Sequence, residues 1–176
     1  MISALAATHC VFNSTYNRDS FCAAAEELLR RMPDARPKNW VSSIRAKSEV
    51  LPVLMSLDER PLEISGRDES EQRLGPVILW NHLWEHDKGP EVFFAALQTL
   101  KTRRVPFRLV VCGERYRHAP KVFEDAQRTL AEHIIHWGYF SERRAYLDAL
   151  HTVDIAVSTA RHEFFGLSML EATHAG

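Results

Sequence analysis

Ser158-Thr159-Ala160-Arg161-His162-Glu163-Phe164-Phe165-Gly166-Leu167-Ser168-Met169-Leu170-Glu171-Ala172-Thr173-His174-Ala175-Gly176 is the stretch from which the fold is read. An apolar run, Asp154 to Val157, delivers the chain to a polar bend that carries Glu163. Gly166 then opens a helical segment, Leu167 to Ala175, with Leu167, Met169 and Leu170 available for burial. Glu171 follows Glu163 by eight residues, so one carboxylate belongs to the loop and the other to the early helix. Between them, the backbone N–H groups of Phe165, Gly166, Leu167 and Ser168 sit at a helix N-terminus, where an anion is favoured. Two carboxylates flanking an anion site suit a ligand with hydroxyls at both ends and phosphates in the middle, the chemistry of a nucleotide sugar. The same stretch also reads as an ordinary strand-loop-helix turn, because helix starts favour Asp and Glu in any case.

Working back along the chain, the pattern before this stretch is regular. Val77–Trp80, Phe107–Cys112, Ile134–Trp137 and Asp154–Val157 read as short buried strands. Pro90–Leu100, Pro120–Glu132 and a segment from a Ser141 cap to Leu150 read as helices, the first with Pro at its opening position. Strands alternating with helices predict a doubly wound parallel sheet of α/β class. In such sheets ligands sit at the carboxyl ends of the strands, where the loops 81–89, 113–118, 138–140 and 158–166 fall. Earlier, residues 8–13 read as a strand, Asn13–Asn17 as a capped turn, Phe21–Met32 as a helix stopped by Pro33, 36–46 as irregular or briefly helical, and Glu49–Leu54 as a strand near an edge. The charged stretch 58–75 reads as a linker. The expected domains are therefore 1–57, a linker at 58–75, and a nucleotide-sugar domain at 76–176.

The chain has 176 residues, 45% of them hydrophobic, enough for one or two cores. Its 22 basic and 23 acidic residues give no net field that would drive binding to nucleic acid or membrane. No apolar run reaches the roughly 18 residues of a membrane span, so no membrane partner is expected. Cys10, Cys22 and Cys112 have no ligand-like spacing and read as reduced thiols of a cytoplasmic protein.

Candidate chemistry lies at the strand ends. The loop with His82, Glu85, His86, Asp87 and Lys88 could be taken for a metal site, but no supporting Cys or His pattern accompanies it, and no metal is expected. Lys88, just ahead of Gly89 and a helix, can meet a phosphate as a point charge. Gly138 permits close approach of a ligand to backbone. No dinucleotide, phosphate-loop or esterase motif occurs.

Lys88-Gly89, then Gly138 after a strand, then Glu163-Phe164-Phe165-Gly166 with Glu171-Ala172 beyond, resembles the retaining GT-B glycosyltransferases of the glycogen-synthase-like group. Trp80-Asn81-His82-Leu83-Trp84-Glu85-His86-Asp87-Lys88, His136-Trp137-Gly138-Tyr139 and Ser158 to Gly166 resemble the tRNA-queuosine α-mannosyltransferase family more closely. Asn13-Ser14, Asn17-Arg18-Asp19-Ser20-Phe21 and Lys47 to Val53 resemble the end of that family's N-terminal domain.

The resemblance implies a GT-B fold: part of an acceptor-side Rossmann-like domain followed by most of a donor-binding one. It implies transfer of mannose from GDP-mannose to queuosine in tRNA, with retention and no metal or other cofactor. Glu171 would hold the nucleotide ribose hydroxyls and Glu163, as the catalytic residue, sugar hydroxyls near the reacting carbon. Lys88, Gly138 and the N–H groups of Phe165, Gly166, Leu167 and Ser168 would serve the donor. It further implies a chain truncated at both ends and inactive as it stands. Where the family has an Arg that pairs with the donor diphosphate, this chain has Leu83, which either faces that site or packs in the core beside Trp84. Two alternatives remain: a glycosyltransferase with a lipid or glycan acceptor, and a non-catalytic paralogue that binds nucleotide or RNA.

Overall fold

The computed structural model describes residues 2–32, 39–55, 74–116 and 119–176. The chain divides into two compact units, Met1–Ser56 and Leu57–Gly176, each described by itself. Of the expected linker, all but Leu74 and Gly75 lies outside the described residues.

In the smaller unit, β1 (Cys10–Phe12) pairs in parallel with β2 (Ser48–Val50), with Cys10 opposite Ser48. Helices α1 (Ile2–Ala6), α2 (Thr15–Arg31) and α3 (Trp40–Ala46) accompany them. Cys22, Ala25 and Leu29 recur at helical spacing and pack with Cys10, Trp40 and Ile44. Three differences from the sequence expectation have physical reasons. Helix α2 begins at Thr15 rather than Phe21, because Ser14, in extended conformation, accepts the Asn17 N–H at 3.0 Å and caps the polar first turns. Strand β2 stops at Val50; Leu51 N–H still reaches Phe12 O at 2.9 Å, but Pro52 has no donor to continue the ladder. The short helix α1 was not expected, since so few residues show no periodicity.

The larger unit is built on β3 (Val77–Asn81), β4 (Arg108–Cys112), β5 (Ile134–Gly138) and β6 (Ile155–Val157). They form one parallel sheet in the order β5-β4-β3-β6. Helices α4 (Pro90–Thr102), α5 (Val122–Thr129), α6 (Arg143–Leu150) and α7 (Leu167–Ala175) connect and follow them.

Alternation along β3 divides the core between the two faces of the sheet. Ile78 and Trp80 pack with Phe93, Phe94 and Leu97 of α4 and Phe123 and Ala126 of α5. Val77 and Leu79 pack on the other side with Val110, Cys112, Leu150 and Ala175. Truncating one of the buried phenylalanines to alanine costs about 3–5 kcal/mol. The chain runs outward from β3 through β4 to β5, then crosses back to place β6 on the far side of β3. The order therefore reverses between β3 and β6, and a crevice opens at the carboxyl ends of such a pair.

The helix boundaries of this unit also shift. Helix α6 starts at Arg143 with Glu142 before it and no side-chain cap, so Ser141 does not cap it. Asp154 lies outside β6; its Oδ2 instead accepts the Val77 N–H at 2.6 Å and ties the strand's start to β3. Helix α7 has the expected bounds but turns a different face inward. Leu167 and Leu170 are exposed, while Ala172 and Ala175, with Ser168 one turn before, lie toward the sheet. Small side chains allow the helix to approach the sheet closely, and the leucines fall on the other side.

Candidate functional site at the carboxyl end of the central strand

The loops that follow β3 and β6 are laced together. Arg161 N–H donates to Asp87 O at 2.7 Å. The Thr159 hydroxyl donates to Lys88 O at 2.8 Å and accepts the Trp80 indole N–H at 3.1 Å. Gly89, at φ +65°, passes so near that an added Cβ would stand 2.3 Å from Thr159 O. Only glycine fits there, and its absence of a side chain lets Lys88 sit against the second loop.

Lys88 Nζ donates to His162 O at 2.8 Å and lies 3.2 Å from Asp87 Oδ2 and 3.6 Å from Glu163 Oε2. Its side chain is 13% exposed and that of Glu163 is 37% exposed. The pair is therefore a shielded cation beside a carboxylate that solvent still reaches. Glu163 Oε1 accepts the Phe164 N–H at 3.1 Å, which turns the side chain back over its own loop. His82 lies behind the pair, buried, with Nδ1 3.7 Å from Glu163 Oε2. Burial pushes its imidazole below the ordinary histidine range, opposed by the Glu163 carboxylate. Its Nε2 is buried without a hydrogen-bond partner among the described residues.

The second carboxylate has its own partners. Glu171 Oε1 receives Arg143 at 2.6 Å, and Oε2 receives the Tyr146 hydroxyl at 2.7 Å. Tyr146 in turn accepts from Asn81 Nδ2 at 2.6 Å. Asn81 is the last residue of β3 and is buried. Both carboxylates thus answer to consecutive residues at the end of the same strand: Glu171 to Asn81 through Tyr146, and Glu163 to His82. A carboxylate offers about four acceptor positions, so Glu171 keeps capacity for ligand hydroxyls.

The remaining expected residues distribute as follows. Phe165 and Gly166 lead into α7, with Gly166 as its N-cap at φ +80°. Leu167 and Ser168 form its first turn, whose N–H groups have no intrahelical acceptor. Gly138 ends β5 at φ +117°, with nothing within 4 Å of the place a Cβ would occupy, so open space stands before its backbone. Leu83 is 39% exposed, whereas its neighbours His82 and Trp84 are buried. The chain bends at His82 and Trp84, with Glu85 N–H bonded back to Leu83 O at 2.8 Å, and Leu83 is left at the surface; it does not pack in the core.

The sequence reading missed Tyr146, Arg143 and Asn81 as members of the site. Asn81 alone carried a signal, as a polar residue ending an apolar strand. Among the described residues, no group of three or more His, Cys, Asp or Glu side chains is arranged to hold a metal ion.

Residues 67–176 match the family profile Glycosyl transferases group 1. Residues 1–55 match the profile tRNA-queuosine alpha-mannosyltransferase N-terminal. The tRNA-queuosine alpha-mannosyltransferase of Drosophila melanogaster is 36% identical over 180 residues, covering 100% of this chain and 48% of the relative. The chain thus spans about half the length of the curated relative it matches.

Among solved structures, TarM superposes with a TM-score of 0.63 at 12% identity, over 98% of this chain and 29% of TarM. The lipopolysaccharide outer core galactosyltransferase WaaB in its apo form gives 0.59 at 18% identity, over 96% of this chain and 41% of WaaB. At these identities the likeness concerns the fold alone, and that fold is of GT-B type.

Proposed function

This chain belongs to the Glycosyl transferases group 1 family and, through its N-terminal match and whole-chain identity, to the tRNA-queuosine alpha-mannosyltransferase family, and we propose that it serves transfer of mannose from GDP-mannose to queuosine in tRNA. The transfer retains the anomeric configuration, needs no metal and takes place in the cytoplasm. No helix among the described residues is long and apolar enough to cross a membrane. The observation that carries the reading is the Lys88–Glu163 pair, 3.6 Å apart beside the place where strand order reverses.

In this reading the donor lies across the carboxyl ends of β3 and β6. Glu171 accepts from the nucleotide ribose hydroxyls. Lys88 and the first-turn N–H groups of α7 face the diphosphate, and open backbone at Gly138 admits the donor closely. As the bond to mannose breaks, negative charge grows on the diphosphate. Donors already fixed in place stabilise that charge without reorganising, which is the main source of rate in such sites. Glu163 accepts from hydroxyls of the sugar and holds its reacting carbon toward the acceptor.

The test is transfer of labelled mannose from GDP-mannose to tRNA with and without queuosine, in EDTA. Label should enter only the queuosine-containing tRNA. Loss of transfer in EDTA with rescue by a divalent ion contradicts the metal-free reading, and label in both tRNAs contradicts the acceptor. One observation favours a second reading, a nucleotide-binding paralogue without transfer: Leu83, at the position the family resemblance aligns with a diphosphate-binding Arg, presents an exposed apolar side chain. That reading predicts GDP binding with no transfer to any tRNA.

A further inference from the structure

Asn81 and Cys112 are the last residues of adjacent strands and stand opposite each other in register. Cys112 Sγ lies 3.4 Å from Asn81 Oδ1 and donates to it. With its oxygen occupied, Asn81 presents Nδ2 to the Tyr146 oxygen at 2.6 Å. That phenol has one proton, and it is directed at Glu171 Oε2, 2.7 Å away. Asn81 Nδ2 also donates to Ser168 O at 3.5 Å, and a carbonyl can only accept, so the amide nitrogen faces Tyr146 and the single phenol proton is left for the carboxylate, which also only accepts.

From this relay we infer that Tyr146 is a positioning residue for Glu171, fixing its carboxylate to the ends of two strands in the orientation that reads the donor's ribose hydroxyls. The inference rests on the reading of Glu171 given above. A carboxylate on a short helix can rotate about its own side-chain bonds. Here Arg143 holds one oxygen and Tyr146 the other, and both donors belong to α6 rather than to the carboxylate's own helix. Tyr146 is itself held by contact with Phe140, ring centres 6.1 Å apart, as well as by Asn81. Burial and the adjacent carboxylate push the phenol above its ordinary range, so it keeps its proton and remains a donor throughout the physiological range. The free lone pairs of Glu171 then point in fixed directions before ligand arrives, which removes an ordering cost from binding.

Calorimetry with GDP and 2′,3′-dideoxy-GDP, on the whole protein and on Tyr146→Phe, tests this. The substitution keeps the ring and removes only the hydroxyl. Wild type should prefer GDP by about 10-fold or more, the range of a charge-assisted bond. Tyr146→Phe should lose most of that preference by weakening GDP while leaving the dideoxy compound unchanged. A preference kept in Tyr146→Phe overturns the inference. If Tyr146→Phe does not fold, Tyr146→Leu, apolar and likewise without the hydroxyl, carries the same test, and a preference kept there overturns the inference equally. No preference in wild type overturns the ribose reading of Glu171 itself, and the inference with it.

Discussion

Lys88 Nζ and Glu163 Oε2 lie 3.6 Å apart although 75 positions separate them in the chain, and the lysine is the more shielded of the two. A shielded cation is worth more to a phosphate than an exposed one, because water competes less. Lys88→Met should therefore lower kcat/KM for sugar transfer by about 10²-fold, the scale of removing one preorganised donor from a developing anion. Nucleotide titration and steady-state rates on the same variant check this. A variant that transfers at the wild-type rate would show the lysine to be only a tie between the two loops.

Glu171→Gln removes the charge but keeps the shape. A hydrogen bond to a charged group contributes about 1.5–3 kcal/mol, so GDP affinity should fall by roughly 10- to 100-fold. Arg143, its partner, has a side chain that is 58% exposed, so water replaces the lost ion pair there. The melting temperature should accordingly change little, and a large drop with unchanged GDP affinity would mark Glu171 as structural.

Leu83→Arg should raise GDP affinity. Leucine 83 already faces outward, so the guanidinium is not driven into the core, and stability should stay within about 0.5 kcal/mol. The gain should vanish for guanosine, which has no phosphate for the guanidinium fork, and shrink with salt. Unchanged GDP affinity at unchanged melting temperature would place position 83 away from the diphosphate.

His82 gives stability a pH dependence with a defined sign. Its folded-state value is depressed by burial, so the unfolded chain binds the proton first as pH falls. The stabilisation is complete above the unfolded value of about 6.5 and is lost as pH drops toward the folded value. Wild type should lose melting temperature between about pH 7 and 5.5. His82→Phe, which keeps an aromatic ring against Trp80, should flatten that slope. An equal slope in both proteins assigns the dependence to other groups.

The parallel sheet was legible because each strand is a short apolar run bounded by Gly or polar residues. Residues 167–175 were legible as a helix because Gly166 opens it and nothing interrupts it. The start of α2 was not, since Thr15 to Ser20 carry no apolar period and only the Ser14 cap announces them. Glu163 and Lys88 stood out as charges in loops at strand ends, and Glu171 as a carboxylate on the helix that follows. Tyr146 did not, because a tyrosine at helical spacing reads as core; its hydroxyl gains a role only when α6, α7 and β3 meet. The inward face of α7 was misread for a related reason. Large side chains advertise burial in a sequence, but Ala172 and Ala175 allow the closer approach to the sheet.

In the proposed reaction Glu163, beside Lys88 at the end of β3, serves the transferring sugar. The most direct test of that role is the rate of mannose transfer from saturating GDP-mannose to queuosine-containing tRNA by Glu163→Gln, measured with GDP affinity on the same preparation. In this variant kcat should fall by about 10²-fold or more, while GDP, which has no sugar beyond the diphosphate, should bind as it does to wild type. Transfer at the wild-type rate, or a loss of GDP affinity that accounts for the whole loss of rate, would contradict it.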